Sequence, residues 1–431
     1  MEKRMLPRGP LGNPRRNWRQ DYFMLSTFSP GDVFFRENDP DAAEKMRRAV
    51  KTCADAGFNM LELGWALPEQ SDAAVRMCEQ LGMPVIYQNL KRYGGMGRRV
   101  FCQKSDLPGV MEENKQWKSI AGYYIWDEPI DEKQMQETRR LMDLCERKMP
   151  HGLPFTVAIP SYGEVDTWQN GQYPGYLERF AEIIDPPVFS FDYYPVGMAE
   201  HDLERQMDDT LMWCDLAVAR RVAAAHDMPL WFYYQGQNLH HYETFIFPMV
   251  RLMMNAGVLY GAKGLQHYAA WESVVATDGG KGELFEEQKA AHARFRELGN
   301  TLMALTCRRV MHDDTLLRGN PYAEGLFDDV AGSALLDGAL PVRVSASEHE
   351  DAHGHQYLMV LNRDYMAERD LTIALKAPAN VYEVSPEDGQ QHLVAQNAAS
   401  VTAHYVPGDM KVFRIQPAAE DAYLVEYYID K

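Results

Sequence analysis

The stretch Ala121-Gly122-Tyr123-Tyr124-Ile125-Trp126-Asp127-Glu128-Pro129-Ile130 decides the fold. Tyr123 to Trp126 are aromatic and β-branched, the composition of a short buried strand. Two adjacent carboxylates end it. Pro129 has no N–H for a ladder, so it stops the sheet there and is expected to hold Glu128 extended. A helix is predicted directly afterwards: Asp131 and Glu132 suit its first turn, and Met135, Leu141, Met142 and Cys145 supply an apolar face. Two acids at the carboxyl end of a buried strand occupy the position at which parallel α/β folds carry their chemistry. The bland alternative makes Asp127 a helix cap and leaves Glu128 in solvent, which accounts for one acid and not both.

Outward from this strand, strand and helix signals alternate. Strands are predicted at Tyr22 to Phe28, Met60 to Gly64, Val85 to Gln88, Phe155 to Ile159, Val188 to Tyr193, Leu230 to Tyr234 and Gly264 to Tyr268. The first helix is framed by Asp39 as N-cap, Pro40 at its first position and Gly57 just past its end. Lys91 to Pro108, with its glycines and arginines, reads as a connection rimming the site. Eight such units predict an α/β fold, a (β/α)8 TIM barrel over residues 20–317, preceded by an irregular arm, 1–19. An open doubly wound sheet is the alternative, but no glycine-rich phosphate loop follows the first strand. The eighth helix is expected over Glu283 to Thr306. After a boundary near Leu317 to Gly325 the pattern becomes short strands between turn residues, a small antiparallel β-sandwich over 325–431. The acidic, His-containing segment Glu348 to His355 reads there as a solvated hairpin loop.

Composition sets limits. With 431 residues the chain accommodates a barrel of roughly 250 residues plus a module, and 46 % hydrophobic residues supply a core. A formal net charge of −18, with no long basic run, argues against nucleic acid or an anionic membrane as partner. No run of apolar residues is long enough to span a membrane. Met1 to Gln20 has arginines and prolines but no apolar core, so no secretory signal is expected and a cytoplasmic location follows. The six cysteines, Cys53, Cys78, Cys102, Cys145, Cys214 and Cys307, are scattered singly and expected to be reduced thiols. Neither metal nor cofactor is expected: the rings of adjacent His240 and His241 diverge, and no metal or nucleophile-elbow motif occurs.

The carboxyl ends of eight barrel strands converge on one face. The second and third strands bring Glu62, Trp65, Tyr87, Gln88 and Asn89 there, and the fourth Trp126, Asp127 and Glu128. The sixth brings Asp192, Tyr193 and Tyr194; the seventh Tyr234, Gln235, Gln237 and Asn238; the eighth His267, Tyr268, Trp271 and Glu272. Flat aromatic faces among amides and acids suit a sugar ring, with its C–H faces and rim of hydroxyls. Core packing is the competing role for each aromatic; the inference rests on their recurrence at strand ends.

The run Gly122-Tyr-Tyr-Ile-Trp-Asp-Glu-Pro129 resembles the fourth-strand motif of barrel glycoside hydrolases. Phe191-Asp-Tyr-Tyr-Pro195, Gly261-Ala-Lys-Gly264 and Trp271 are similar to other strand ends in groups of such barrels with a C-terminal β-domain. The resemblance implies a carbohydrate substrate and Glu128 as general acid/base, with Asp127 or a second carboxylate, Asp192 or Glu272, as its partner. The chain departs from clan A glycosidases in two places: Asp127 stands where they carry asparagine, and the seventh strand ends in Tyr234-Gln235 without a nucleophilic glutamate. The adjacent Asp–Glu pair resembles instead the substrate-assisted hexosaminidases, in which a 2-acetamido group attacks the anomeric carbon. Because neighbouring strand residues face opposite sides, that reading needs the strand to bend at its end. A barrel that binds carbohydrate without cleaving it is the third reading.

Overall fold

The computed structural model describes residues 10–30, 39–63, 68–88, 107–161, 173–196, 211–239, 245–314, 316 and 325–418, without the side chains of 68 and 69. The predicted units are present: β1 (Met24–Phe28), α1 (Ala42–Asp55), β2 (Met60–Glu62), α2 (Pro68–Leu81), β3 (Val85–Tyr87), α3 (Leu107–Asn114), β4 (Ile120–Asp127), α4 (Glu132–Lys148), β5 (Leu153–Val157), α5 (Tyr173–Ile184), β6 (Phe189–Tyr193), α6 (Met212–Ala225), β7 (Leu230–Gln235), α7 (Phe247–Leu259), β8 (Gly264–Tyr268) and α8 (Phe285–Ala304). The strands run parallel in the order β5-β4-β3-β2-β1-β8-β7-β6, and an Ala158–Phe191 bridge brings β5 to β6. This is the expected (β/α)8 barrel. Alternation along each strand makes two cores. On β7, Trp231 and Tyr233 turn into the lumen with Met24, Tyr124 and Phe155, whereas Phe232 and Tyr234 face the helices.

One detail differs from expectation. Helix α1 begins at Ala42, not Pro40: Asp39 turns the chain ahead of it, its Oδ1 accepting the Asp41 N–H at 2.9 Å. The irregular arm, where described, is bound to the barrel. Trp18 plugs the amino end of the lumen, edge-on to Trp231 at 5.9 Å. Buried Arg16 donates to the Asp185 carbonyl (2.6 Å) and pairs with Asp143 (2.7 Å) and Glu146 (3.0 Å).

Six strands follow: β9 (Thr306–His312), β10 (Val344–Glu350), β11 (Gln356–Asn362), β12 (Arg369–Val384), β13 (Gln391–Tyr405) and β14 (Met410–Pro417). They form one antiparallel ladder, β13-β12-β14-β11-β10-β9. β12 and β13 each unite two strands read separately from the sequence. Register shifts between Ala374 and Tyr382 bend the ladder, and its two halves enclose Leu371, Ile373 and Val401 against Val344, Val360 and Phe413. The chain enters this sheet at Thr306, ahead of the expected boundary, because β9 follows α8 with no glycine or proline between them. Leu317 lies outside the described residues.

The segment Glu348 to His355 is not a solvated loop throughout. Glu348 and His349 lie inside β10, 3 % and 1 % exposed. The Glu348 carboxylate accepts the N–H groups of Ala334 (2.8 Å) and Leu335 (3.0 Å), donors that nothing in local sequence would reveal. The turn proper is Asp351 to His355, closed by a 2.8 Å contact between those two side chains. The sheet docks on α7, where Arg251 and Asn255 donate to the Pro407 and Gly408 carbonyls at 3.0 and 2.8 Å. Among the described residues, no helix is long and apolar enough to cross a membrane.

β4 lies close against β5 because residue 122 is glycine. A Cβ there would stand 2.1 Å from the Leu153 carbonyl oxygen, a backbone atom that cannot swing aside. Gly122→Ala is expected to lower the unfolding free energy by about 1–3 kcal/mol, the usual cost of overpacking. The denaturant midpoint measures it; an unmoved midpoint would refute the close approach.

Candidate active site

The pairing of β4 with β5 persists one residue past the strand: the Glu128 N–H donates to the Val157 carbonyl at 3.2 Å. Glu128 is not extended there, contrary to the expectation from Pro129; its φ is +49°. A left-handed conformation costs a non-glycine residue roughly 1–2 kcal/mol, so the surroundings must hold it. Tyr176 on α5 donates to the Pro129 carbonyl at 3.0 Å, and Gln134 accepts the Ile130 N–H at 2.9 Å. The helix cap is Asp131, which accepts the Gln134 N–H at 2.8 Å. Asp127 is therefore not the cap, and the bend turns two consecutive carboxylates onto one cavity.

That cavity, of about 220 Å³, lies at the carboxyl ends of the strands. Asp127 and Glu128 form one wall, and Asp192 and Tyr194 face them from the end of β6. Tyr233 and Tyr268 come from β7 and β8, while Phe28, Tyr124 and Val157 complete the lining. Tyr268 stacks on Tyr194 (4.7 Å) and on Phe28 (5.3 Å), and Trp271 meets it edge-on at 5.8 Å. The Tyr124 hydroxyl donates to Asp127 Oδ1 at 3.0 Å.

Asp192 decides the electrostatics. It accepts a hydrogen bond from the Tyr194 hydroxyl and shares one with the Glu128 carboxyl. Burial and the Asp127 charge push its pKa up to about 7, against the bonds from Tyr194 and Glu128 that favour the ionised form. Its Oδ1 is buried with no hydrogen-bond partner. Two carboxyls in contact hold together only by sharing a proton.

Below the cavity is a second buried acid. Glu62 is 0 % exposed and does not line the cavity; it accepts from Ser26 (2.5 Å), Gln266 (2.8 Å) and the Tyr233 hydroxyl. Gln266 in turn accepts from Ser190 at 2.6 Å. Burial first, offset by the Gln266 and Ser26 bonds, pushes the Glu62 pKa up to about 7.

Of the residues expected at the mouth, Asp127, Glu128, Asp192, Tyr194 and Tyr268 meet at the cavity. Tyr87, Tyr193, Tyr234 and His267 do not line it. Tyr87 packs on Tyr123, Tyr193 accepts the Leu211 N–H, and Tyr234 accepts from Gln288 on α8. His267 lies edge-on to Phe58 and Tyr234, and a Cβ at Gly236 would collide with its ring. Gln235 braces the chain after β6 through both the N–H and the carbonyl of Val196, at 2.7 and 2.9 Å. Trp126, Gln88 and Gln237 are buried outside the lining, and Asn238 is half-buried. Glu272 is exposed with φ +56° and lies outside the lining, so the loop after β8 does not bring it to the Asp127–Glu128 wall. Trp65, Asn89, Cys102, His240 and His241 lie outside the described residues, as does most of Lys91 to Pro108.

Sequence reasoning missed Phe28, Tyr124, Val157 and Tyr233. Alternation was the available signal: Asp192 points inward, and Tyr233 is its register partner on β7. Among the described residues, no three His, Cys, Asp or Glu side chains are grouped to hold a metal.

No protein-family model matches the chain, and no curated protein does. Solved structures align with it at low identity. An endo-beta1,6-glucanase has 11 % identity over 94 % of this chain and 94 % of its own, with a TM-score of 0.45. The gamma-CGTase of alkalophilic Bacillus clarkii has 11 % identity over 94 % of this chain and 71 % of its own (TM-score 0.44). The GH51 arabinofuranosidase of Xanthomonas axonopodis pv. citri has 10 % identity over 94 % of this chain and 97 % of its own (TM-score 0.43). Likenesses this distant assign no chemistry, which has to come from the cavity itself.

The raised pKa of Asp192 fixes a sign. Ionising it is harder in the folded chain than in the unfolded one, so its contribution to stability is lost as pH rises from about 4 through about 7. Asp192→Asn is expected to remove on the order of 2–4 kcal/mol of that pH dependence. Thermal unfolding of both proteins at pH 5 and pH 8 tests this: the melting-temperature gap between the two pH values should shrink in the variant. An equal gap contradicts the assignment.

Proposed function

We propose that this chain is a glycosidase in which Glu128 protonates the departing glycosidic oxygen. The observation that carries the reading is the contact between Glu128 and Asp192 at the mouth of a barrel lumen, in a cavity lined also by Asp127, Val157 and five aromatic rings. A general acid has to carry its proton when the substrate arrives, and the hydrogen bond that Glu128 shares with Asp192 places a proton between the two carboxyls. The aromatic walls suit the C–H faces of a sugar, and Asp192 Oδ1 is a free acceptor for a substrate hydroxyl.

Asp192 is the partner in this reading, and Glu272, exposed and outside the lining, is not. Two-carboxylate mechanisms keep their acids about 5–5.5 Å apart for retention or about 6.5–9.5 Å for inversion. Hydrogen-bonding contact is closer than either, so Asp192 serves to hold Glu128 protonated. The second reading, substrate-assisted cleavage of a 2-acetamido sugar, is favoured by one observation: Asp127 and Glu128 line the same cavity despite being consecutive.

Glu128→Gln is expected to lower kcat at least ~10²-fold on glycosides with poor leaving groups, and far less on aryl glycosides whose phenol needs no proton. Equal losses on both, or none, remove the acid assignment. A panel of aryl glycosides with and without the 2-acetamido group separates the two readings. Cleavage confined to acetamido sugars selects substrate assistance, and no cleavage of any member sinks the enzymatic proposal.

A further inference from the structure

Cleavage with retention by two displacements needs a protein group that bonds to the anomeric carbon as the leaving oxygen departs. β7 ends on a neutral amide, Gln235, which is engaged with Val196. Asp192 is engaged with Glu128. Two lining phenols away from the Glu128–Asp192 contact donate to a carboxylate, Tyr124 to Asp127 and Tyr233 to Glu62; of these two carboxylates Asp127 lines the cavity itself, whereas Glu62 does not. Tyr233 lines the cavity, and its hydroxyl donates to Glu62 Oε2. Register places Tyr233 beside Asp192 on one side and Gln266 on the other. Glu62 does not line the cavity, and its Oε1 is held by Ser26 and Gln266. A tyrosine of the cavity lining thus has a buried carboxylate on its hydroxyl to take its proton.

We propose that Tyr233 is the catalytic nucleophile of the glycosidase and Glu62 its base; this rests on the glycosidase reading above. In the first step the Tyr233 oxygen bonds to the anomeric carbon and its proton passes to Glu62. The bond from that carbon to the leaving oxygen breaks, its electron pair stays on the oxygen, and the oxygen takes a proton from Glu128. In the second step water attacks the anomeric carbon and gives a proton to the Glu128 carboxylate. The bond to the tyrosine oxygen breaks, and the phenolate recovers its proton from Glu62. Both carboxyls end as they began, water is the only co-reactant, and two displacements give net retention. A neutral attacker suits a cavity already holding three carboxyls, where a fourth would raise the pKa of the others. A base with a pKa near the working pH suits the proton transfer.

The test traps the intermediate. Once the aryl-glycoside panel has identified a cleaved sugar, the wild-type protein is treated with its 2-deoxy-2-fluoro glycosyl fluoride, mapped by peptide mass spectrometry, and its product anomer is read by NMR. The expected result is retention, with a label on Tyr233 that survives hydroxylamine, as an aryl glycoside does and a glycosyl ester does not. Tyr233→Phe should take no label and lose about 10³-fold or more in kcat. Glu62→Gln should label slowly and lose the acidic limb of the kcat/KM profile near pH 7. Inversion, a label on any carboxylate, a label that hydroxylamine removes, or no label on an enzyme confined to 2-acetamido sugars overturns the tyrosine while leaving the glycosidase reading intact. Failure to cleave any glycoside overturns both. The wild-type mapping decides even if the variants do not fold.

Discussion

At Glu128 the backbone leaves β4 in a left-handed turn, and the site depends on it. Consecutive residues of a strand project to opposite faces; a continuation of β4 would have sent Asp127 and Glu128 apart. The turn is bonded on three sides, by Val157, by Tyr176 and by Gln134. Pro129 cannot compete for a ladder bond, so the chain passes from strand to helix within four residues of the acid, Asp131 already being the cap. A strained conformation so closely fixed is typical of positions where chemistry, not packing, sets the geometry.

The barrel then brings carboxyls together that the chain keeps far apart. Asp127, Glu128 and Asp192 share one cavity, and Glu62 lies beneath it. In water such a group would ionise and repel. Inside the lumen, burial and the Asp127 charge push Asp192 and Glu62 up to about 7, so both ionise less readily than an ordinary carboxyl. The two raised acids are differently placed. Asp192 has an oxygen without a partner, whereas Glu62 is saturated by three donors.

The site was only partly legible in the sequence. The strand-ending pair, Asp192 and Tyr268 were found because apolar runs end abruptly on polar residues there. Tyr234 stands nearer the end of the strand, yet it is Tyr233 that lines the cavity. The choice depends on which parity of β7 faces inward, and β7 is apolar or aromatic at five consecutive positions, Leu230 to Tyr234, with no polar residue to mark a face. The same ambiguity put Tyr193 and His267 at the mouth, although their side chains serve the helix layer. Glu272, exposed and outside the lining, sits in the loop after β8, whose course no local rule fixes.

By itself the sequence determined the periodicity: eight alternations of strand and helix, an antiparallel module after them, and an acidic pair at the end of the fourth strand. Those follow from side-chain shape and from proline's missing donor, which act within a few residues. Tertiary structure alone decided which residues look inward, how Glu62 comes to hold Tyr233 across 171 positions of chain, and which acids share a proton. These depend on the tilt and register of strands closing into a ring, and closure is a property of all eight together.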